Sequence, residues 1–363
     1  MSTHAIIAED ISGVLGRMHA SWENLRGASL FLTGGTGFFG VWLLETLLAA
    51  NHRFDLGCRV TVLTRDPARF SAKAPHLAAD PALALLAGDV RDFRFPDDPI
   101  THVIHAATES SAALNADNPR EMFDVCVEGT RRMLRLAQEK RAARFLFTSS
   151  GAVYGRQPPE LLHVPEDFRG GPDPLDVRNA YAEGKRAAEL LCAIAAGLPA
   201  AGGAGLHVSV ARCFAFVGPH LPLDAHFAIG NFLRDCLAGG PIRIGGDGSP
   251  FRSYLYAADL AEWLFTILLR GESGRAYNVG SEEALSIRQL ADRVADVAAT
   301  ICPDRGRPEV LIAKQSVPAA AAERYVPNSD RACTELGLTP ATSLDEAIRR
   351  TLLWAEGGIL KQS

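Results

Sequence analysis

Between Leu30 and Ala49 an apolar run, Leu30-Phe31-Leu32, stops at a glycine cluster, and a second apolar segment, Val41 to Ala49, follows at once. Gly34, Gly37 and Gly40 stand at steps of three in Thr33-Gly34-Gly35-Thr36-Gly37-Phe38-Phe39-Gly40. Glycine in such a place permits a tight turn and lets a helix and a strand pack closely. The N–H groups that open the helix then form a site for a pyrophosphate, which side chains would block. The spacing is G-x-x-G-x-x-G rather than G-x-G-x-x-G. Taken alone, a plain glycine-rich turn satisfies the same pattern, so the rest of the chain has to decide.

From Ser29 onward, short apolar runs alternate with helix-like stretches. The runs Ser29–Thr33, Arg59–Thr64, Leu83–Ala87, His102–Ala106, Arg144–Ser149 and His207–Arg212 read as strands, with amphipathic helices at Pro119–Gln138 and Tyr181–Ala196 among the segments between. Strand, helix, strand at this spacing predicts an α/β fold, a doubly wound parallel sheet with helices on both faces. Residues 1–28 read as a helical extension, helical over roughly 5–25, and residues 29–212 as the dinucleotide-binding domain. Past Arg212 glycine and proline crowd "FVGPHLPLD" and "AGGPIRIGGDGSPFR", so residues 213–363 are expected to be mainly a smaller substrate lobe.

Composition narrows the class. The 363 residues are 47% apolar and 22% charged, with a formal net charge of −5. That balance argues against a nucleic-acid surface. No 18-residue apolar run and no signal-like leader is present, so a membrane span is not expected and a cytoplasmic protein is. The seven cysteines are scattered without a C-x-x-C pair and read as reduced core residues. Ten histidines show no ligand spacing, so no metal is expected.

Two further segments carry chemistry. "NAYAEGKRAAELL" sets Tyr181 and Lys185 four apart on a helix, hence on one face. A phenol is a poor base at neutral pH, with a reference pKa of about 10, and a neighbouring ammonium favours the phenolate. Upstream, "RFLFTSSGAVYG" ends a strand in Ser149-Ser150, at the edge where doubly wound folds place ligands. The second strand, "RVTVLTRDPARF", holds Thr64 where an acid would bind a ribose 2′-hydroxyl, followed by Arg65, whose forked donor suits a 2′-phosphate. This favours NADP(H) over NAD, the alternative being that Asp66 or backbone groups hold a plain ribose while Arg65 stacks on adenine.

The glycine cluster with Phe38-Phe39, then His105-Ala106-Ala107, then Ser150 ahead of Val153-Tyr154-Gly155, then Tyr181-x-x-x-Lys185, occur in the order of the extended short-chain dehydrogenase/reductase superfamily. The chain resembles its NAD(P)-dependent nucleotide-sugar epimerase/dehydratase branch from about Ser29 to Trp354. The resemblance implies Ser150, Tyr181 and Lys185 as catalytic residues, with Ser149 second to Ser150. It implies cofactor contacts at Gly34, Thr36, Gly37, Phe38, Phe39, Gly40, Thr64, Arg65, Asp89, Val90, Ala106, Ala107, Thr148, Tyr181, Lys185 and Cys213. Thr108, Glu109, Ser150, Gly151, Asn231 and Arg252 would meet the substrate, with Arg252 on the diphosphate of a nucleotide sugar (or paired with a surface acid) and the Tyr325–Asp330 segment near the sugar. His105 reads as structural.

Departures from the family pattern shape the expected reaction. Dehydratases carry an Asp-Glu pair where this chain has Gly151-Ala152. The family asparagine ahead of V-x-G-T is Cys126, the epimerase-type phosphate asparagine is Ala215, and proline is missing just before Tyr181. Epimerisation by hydride transfer at a ring carbon, C4 first, is therefore the leading expectation. Reduction of a 4-keto sugar by NADPH is the alternative, 4,6-dehydration ranks lower, and a non-catalytic sensor stands as a different class. The resemblance also implies a homodimer through the two long helices, with stripes Met122, Val125, Met133, Leu134 and Ala188, Leu191, Cys192 either at that interface or on the chain's own sheet.

Overall fold

The computed structural model describes residues 3–107, 112–197, 205–225, 227–314 and 322–359. Seven strands, β1 (Ser29–Thr33), β2 (Arg59–Thr64), β3 (Leu83–Ala87), β4 (His102–His105), β5 (Arg144–Ser150), β6 (His207–Cys213) and β7 (Arg275–Val279), form one sheet in the order β7-β6-β5-β4-β1-β2-β3. Every neighbouring pair is parallel. The first six strands fall within one residue of the predicted runs. The seventh was not among them: the chain returns to the sheet after residue 213, in a stretch read only as part of the lobe. Five residues with a charged start and an asparagine inside carry no strand period, yet Tyr277, Asn278 and Val279 are buried beside β6.

Strand order reverses direction between β1 and β4, the point at which doubly wound sheets open a crevice beyond their carboxyl ends. Helices cover both faces because near-continuous apolar strands must be buried on each side. On one face lie α1 (Thr3–Arg17), α2 (Phe38–Phe54) and α5 (Ala257–Arg270), whose buried residues, among them Val14, Trp42 and Trp263, join one core with Leu30, Leu32 and Val62. On the other face α3 (Pro119–Glu139) and α4 (Ala180–Gly197) pack Met133, Leu134, Ala188 and Cys192 against Phe31, Val103, Phe145 and Val208. Met122 is buried as well, so these stripes cover the chain's own sheet. The outer face of the same two helices carries other apolar side chains: Phe123, Leu190 and Ile194 are 37%, 63% and 52% exposed.

The N-terminal segment is shorter in its main helix than the expected 5–25: α1 ends at Arg17, and a short helix His19–Trp22 and a turn Glu23–Leu25 complete it. Ile11, Val14, Leu15, Met18, Trp22 and Leu25 enter the main core. Each is worth about 1.5–3 kcal/mol of apolar burial. Asp10 accepts a 2.5 Å hydrogen bond from the Tyr256 hydroxyl and pairs with Arg350 of α7 (Leu344–Ile359), α6 being Ile287–Ile301. All seven cysteines are free thiols, five of them buried.

Beyond β6, short strands build a rim over the carboxyl edge of the sheet. Phe251–Arg252 pairs with Leu285–Ser286 on one side and Arg324–Tyr325 on the other, which sets Arg252 beside Tyr325. Buried charge anchors this rim. Arg212 at the end of β6 holds Glu189 of α4 at 2.7 Å, the Tyr154 hydroxyl at 2.9 Å and the Glu166 carbonyl at 3.0 Å. Tyr154 donates on to Asn278 of β7 at 2.7 Å.

Candidate active site

The glycine turn joins β1 to α2, and its glycines serve different ends. Gly34 has φ +74°, and a Cβ there would lie 2.4 Å from the Ala106 carbonyl oxygen. A Cβ on Gly40 would lie 2.3 Å from Gly34 O, and one on Gly35 2.6 Å from the Val62 side chain. The protein's own backbone packing thus demands these three. Gly37 differs. It is exposed, has φ −86°, and the nearest atom to an added Cβ is Gly34 O at an ordinary 3.5 Å. Gly37 is also the N-cap of α2, where no side chain accepts from the first N–H groups. Uncapped donors behind a bare glycine fit a pyrophosphate. Around the turn, Lys73 Nζ reaches the Thr36 carbonyl at 3.5 Å, and the Phe39 ring meets Phe216 edge-on at 5.0 Å with Phe38 beside it.

Ala106 and Ala107 sit under this turn, the Ala107 N–H donating to Thr33 Oγ1 at 3.0 Å. His105 is locked behind them. Thr130 gives its hydroxyl proton to the Cys126 carbonyl at 2.7 Å. A hydroxyl has one proton to give, so Thr130 must accept from His105 Nε2 at 3.1 Å. That leaves His105 Nδ1 to accept from Thr33 Oγ1 at 2.8 Å. Burial, with Lys185 nearby, pushes the imidazole down to about 3, and it stays neutral. Its role is structural.

At the ends of β2 and β3 the carboxylates of Asp66 and Asp89 are engaged. Asp66 Oδ1 caps the helix Pro67–Lys73 by accepting from Arg69 N at 2.9 Å, and Thr64 Oγ1 accepts from Asp66 N at 3.3 Å. Asp89 accepts from Arg91 at 2.8 and 3.1 Å, and this bonding holds its carboxyl below the ordinary range, with Arg65 adding to the effect. Arg91 continues to Glu121 at 2.9 Å. Val90 packs against Gly129 of α3.

Alternate side chains of a strand point to opposite faces, and this separates the two serines. Ser149 Oγ donates to Glu189 at 2.5 Å. Ser150 Oγ accepts from Ala152 N at 3.2 Å, lies 3.3 Å from the Tyr325 hydroxyl, and stands close enough to Tyr181 to favour its phenolate. One helical turn along α4, Lys185 is 2% exposed and donates to the Thr148 carbonyl at 2.7 Å, while Thr148 Oγ1 donates to the His105 carbonyl at 3.2 Å. The ammonium sits 4.7 Å from the Phe147 ring centre and 5.9 Å from that of Tyr181. Burial pushes Tyr181 well above its ordinary value and Lys185 below its own. The expected lowering of Tyr181 by its lysine is therefore outweighed, in the protein alone, by loss of water around the phenol.

Other predicted residues fall nearby. A Cβ on Gly151 would meet the Phe214 ring at 2.7 Å and the Tyr325 hydroxyl at 2.8 Å. Cys213 is buried, with its carbonyl 3.5 Å from that hydroxyl. Arg252 lies 5.7 Å from the Tyr325 ring centre and pairs with Glu323 at 2.6 Å, the surface acid weighed as its alternative partner. Asn231 accepts from Arg234 at 3.2 Å on the helix Ala228–Leu237, and its hydrogen bond does not join it to the Ser150 group. Cys126 stands where α3 and α4 meet, 2.8 Å from a Cβ placed on Gly184. Thr108 and Glu109 lie outside the described residues.

Two contacts escaped the sequence reading. Tyr325 enters the group as a direct partner of Ser150, although only its segment was expected near the sugar. Asn115 accepts from the Tyr181 backbone N–H at 3.0 Å and gives its own N–H to the Arg178 carbonyl at 2.7 Å, tethering the loop ahead of α4. Nothing in the local sequence marks Asn115. Among the described residues no group of histidine, cysteine or acidic side chains is arranged to hold a metal ion, and no helix is long and apolar enough to cross a membrane.

A seven-stranded parallel sheet with a glycine turn at its first strand and a Ser-Tyr-Lys group at its carboxyl edge defines a Rossmann-type, dinucleotide-binding protein of the short-chain dehydrogenase/reductase kind. The chain belongs to the NAD dependent epimerase/dehydratase family, whose model matches residues 30–280. It is 30% identical over 301 residues to UDP-glucuronic acid decarboxylase 1 of Arabidopsis thaliana, covering 79% of this chain and, at 65%, under two thirds of that protein's length. Its fold is that of UDP-glucose 4-epimerase from Thermotoga maritima, solved with UDP-glucose (TM-score 0.71, 20% identity, 91% of this chain and 99% of that one). It is also that of a dTDP-glucose 4,6-dehydratase from Streptomyces venezuelae, solved with NAD (TM-score 0.71, 24% identity, 90% and 96%).

Proposed function

We propose that the protein oxidises a ring carbon of a nucleotide-diphosphate sugar, C4 first, and returns the hydride to the opposite face, giving an epimer. The observation that carries this reading is the convergence of Ser150, Tyr181 and the buried Lys185, with Ser150 close enough to favour the Tyr181 phenolate and Lys185 fixed on the Thr148 carbonyl. Ser150 binds the reacting oxygen. Tyr181 takes the carbinol proton as the ketone forms and gives it back on reduction. Lys185, fixed by Thr148, adds the positive charge that favours the phenolate.

The nicotinamide dinucleotide supplies the hydride acceptor and donor. Gly34, Thr36, Gly37, Phe38, Phe39 and Gly40 would hold its pyrophosphate end, Asp89 and Val90 its adenine, Ala106, Ala107, Thr148, Cys213 and Lys185 its nicotinamide side. Thr64 and Arg65 favour NADP over NAD, because Asp66 is committed to a helix cap and Asp89 to Arg91. Arg252, beside Tyr325, would meet the diphosphate after leaving Glu323.

A second reading is decarboxylation of a nucleotide uronic acid, favoured by the name of the Arabidopsis relative. The first step is the same: once C4 is a ketone, a C6 carboxyl is β to it and can leave as carbon dioxide without a dedicated acid–base pair. The outer face of α3 and α4, with Phe123, Leu190 and Ile194 exposed, supports a homodimer.

Incubation with UDP-glucose, dTDP-glucose and UDP-glucuronic acid, each with NAD or NADP, and with a nucleotide 4-keto sugar and NADPH, tests the readings. An epimer supports the first, carbon dioxide with a pentose product the second, and turnover of a 4-keto sugar only with consumption of NADPH the reductase. Tyr181→Phe is expected to lose at least about a hundredfold in turnover; full turnover in that variant removes the mechanism.

A further inference from the structure

Ser150 has one proton to give and two lone pairs to fill. The Ala152 N–H, 3.2 Å away, takes one lone pair. The Tyr325 hydroxyl, at 3.3 Å, has a single proton and two acceptors in reach, Ser150 Oγ and the Cys213 carbonyl at 3.5 Å. If Tyr325 gives its proton to Ser150, both lone pairs are filled, and among the described residues the serine proton is left to the Tyr181 oxygen or to a bound substrate oxygen. If Tyr325 is absent, that lone pair is empty and the serine proton is free to turn elsewhere.

The ring is packed in this place. It lies against Phe214 at 4.7 Å, Arg252 flanks it at 5.7 Å, and Gly151 leaves the gap its hydroxyl occupies, since a Cβ there would come within 2.8 Å of it. Among the described residues, the charged and titratable groups facing Tyr181 are Lys185 on its own helix, Cys126 on α3, Cys213 at the end of β6, and Tyr325.

We propose that Tyr325 is a positioning residue for the reaction: its hydroxyl fixes the direction of the Ser150 proton, so that Ser150 donates toward the Tyr181 oxygen and eases formation of the phenolate. This rests on the reading of Tyr181 as the proton carrier. Tyr325 acts through Ser150 and does not itself exchange a proton with substrate.

The experiment follows tyrosinate formation by ultraviolet difference absorbance against pH, in the full chain with NAD added, for wild type, Tyr325→Phe, Ser150→Ala, the double variant and Tyr181→Phe. The transition that disappears in Tyr181→Phe is thereby assigned to Tyr181. In Tyr325→Phe it moves up by about one pH unit, the worth of one well-directed hydrogen bond. Ser150→Ala moves it at least as far, and adding Tyr325→Phe to Ser150→Ala moves it no further, as two residues acting through one bond require. The phenyl ring keeps the packing on Phe214, so melting of Tyr325→Phe should match wild type. A Tyr181 transition that stays in place in Tyr325→Phe, or shifts additively in the double variant, or the absence of any transition that Tyr181→Phe removes, overturns the proposal. Failure of the underlying function is read separately, as full nucleotide-sugar turnover by Tyr181→Phe.

Discussion

The glycine turn offers a substitution that separates folding from binding. Gly37→Ala puts a methyl at the opening of α2, where backbone φ of −86° suits any residue and the nearest atom is 3.5 Å away. On the unfolded side the extra methyl narrows the chain's freedom, worth up to about 1 kcal/mol, and alanine caps a helix less well than glycine by a similar amount, so the variant should fold with nearly unchanged stability. The dinucleotide meets the same methyl where its phosphates approach the helix. Overpacking costs about 1–3 kcal/mol, which at about 1.4 kcal/mol per tenfold is a loss of roughly 5- to 150-fold in cofactor affinity. Gly34→Ala is the contrast. A left-handed backbone costs a residue with a Cβ about 1–2 kcal/mol. Gly34 has that conformation, with φ +74°, and the 2.4 Å approach to the Ala106 carbonyl adds a backbone clash. The variant should melt lower whether or not cofactor is present. Thermal melting without ligand and calorimetric titration with NAD and NADP measure both effects. Cofactor affinity in Gly37→Ala equal to wild type, in a protein that melts normally, would refute the assignment of this turn to the pyrophosphate.

Arg65→Ser should weaken NADP binding by about tenfold or more, the loss of a charge-assisted hydrogen bond of about 1.5–3 kcal/mol, while leaving NAD nearly unchanged; equal losses for both cofactors in the same titration would end the 2′-phosphate argument. For pH, His105 is buried neutral with its value pushed from 6.5 to about 3, so the unfolded chain takes up a proton below 6.5 that the folded protein refuses. Its contribution is intact above pH 6.5 and is lost as pH falls toward about 3, at about 1.4 kcal/mol per pH unit. Denaturant unfolding across pH should therefore show a shallower acid loss for His105→Gln than for wild type, and parallel curves would contradict the buried neutral imidazole.

The sheet was readable because its strands are apolar runs bounded by turn residues, and each boundary falls where the run breaks. β7 was not, because its place depends on the Tyr154–Asn278 bond and the neighbouring β6, not on its own pattern. The Ser150, Tyr181 and Lys185 group was legible from the order of motifs the chain shares with the superfamily, since a Tyr–Lys pair four apart is by itself common on helix surfaces. Tyr325 lies 175 positions from Ser150 and reaches it through the short pairing with Arg252, so no spacing rule could have joined them. The helix stripes were left open for a different reason. A periodic apolar stripe shows that a helix face is buried, not what buries it, and Met133, Leu134 and Ala188 are spent on the chain's own sheet. The net direction of the Tyr181 shift also needed coordinates, since the depth of burial decides it.

The bare residue at 151 is more than a missing acid. A Cβ there would touch both the Phe214 ring and the Tyr325 hydroxyl, so the contact that brings Tyr325 to Ser150 is the one that excludes a carboxyl side chain from the position. The two features come together: either the pocket holds an acid at 151, or it holds the second phenol against the serine. A site of the second kind groups the Ser150, Tyr181 and Tyr325 hydroxyls and supplies no carboxylate at 151 for expelling a hydroxyl from the ring. This weighs toward reactions completed by removing and returning one proton and one hydride, and toward loss of a carboxyl group that leaves once its neighbour is oxidised. It follows that Gly151→Asp alone should not create dehydratase activity, because the new side chain must first displace Tyr325 from the serine that the chemistry uses.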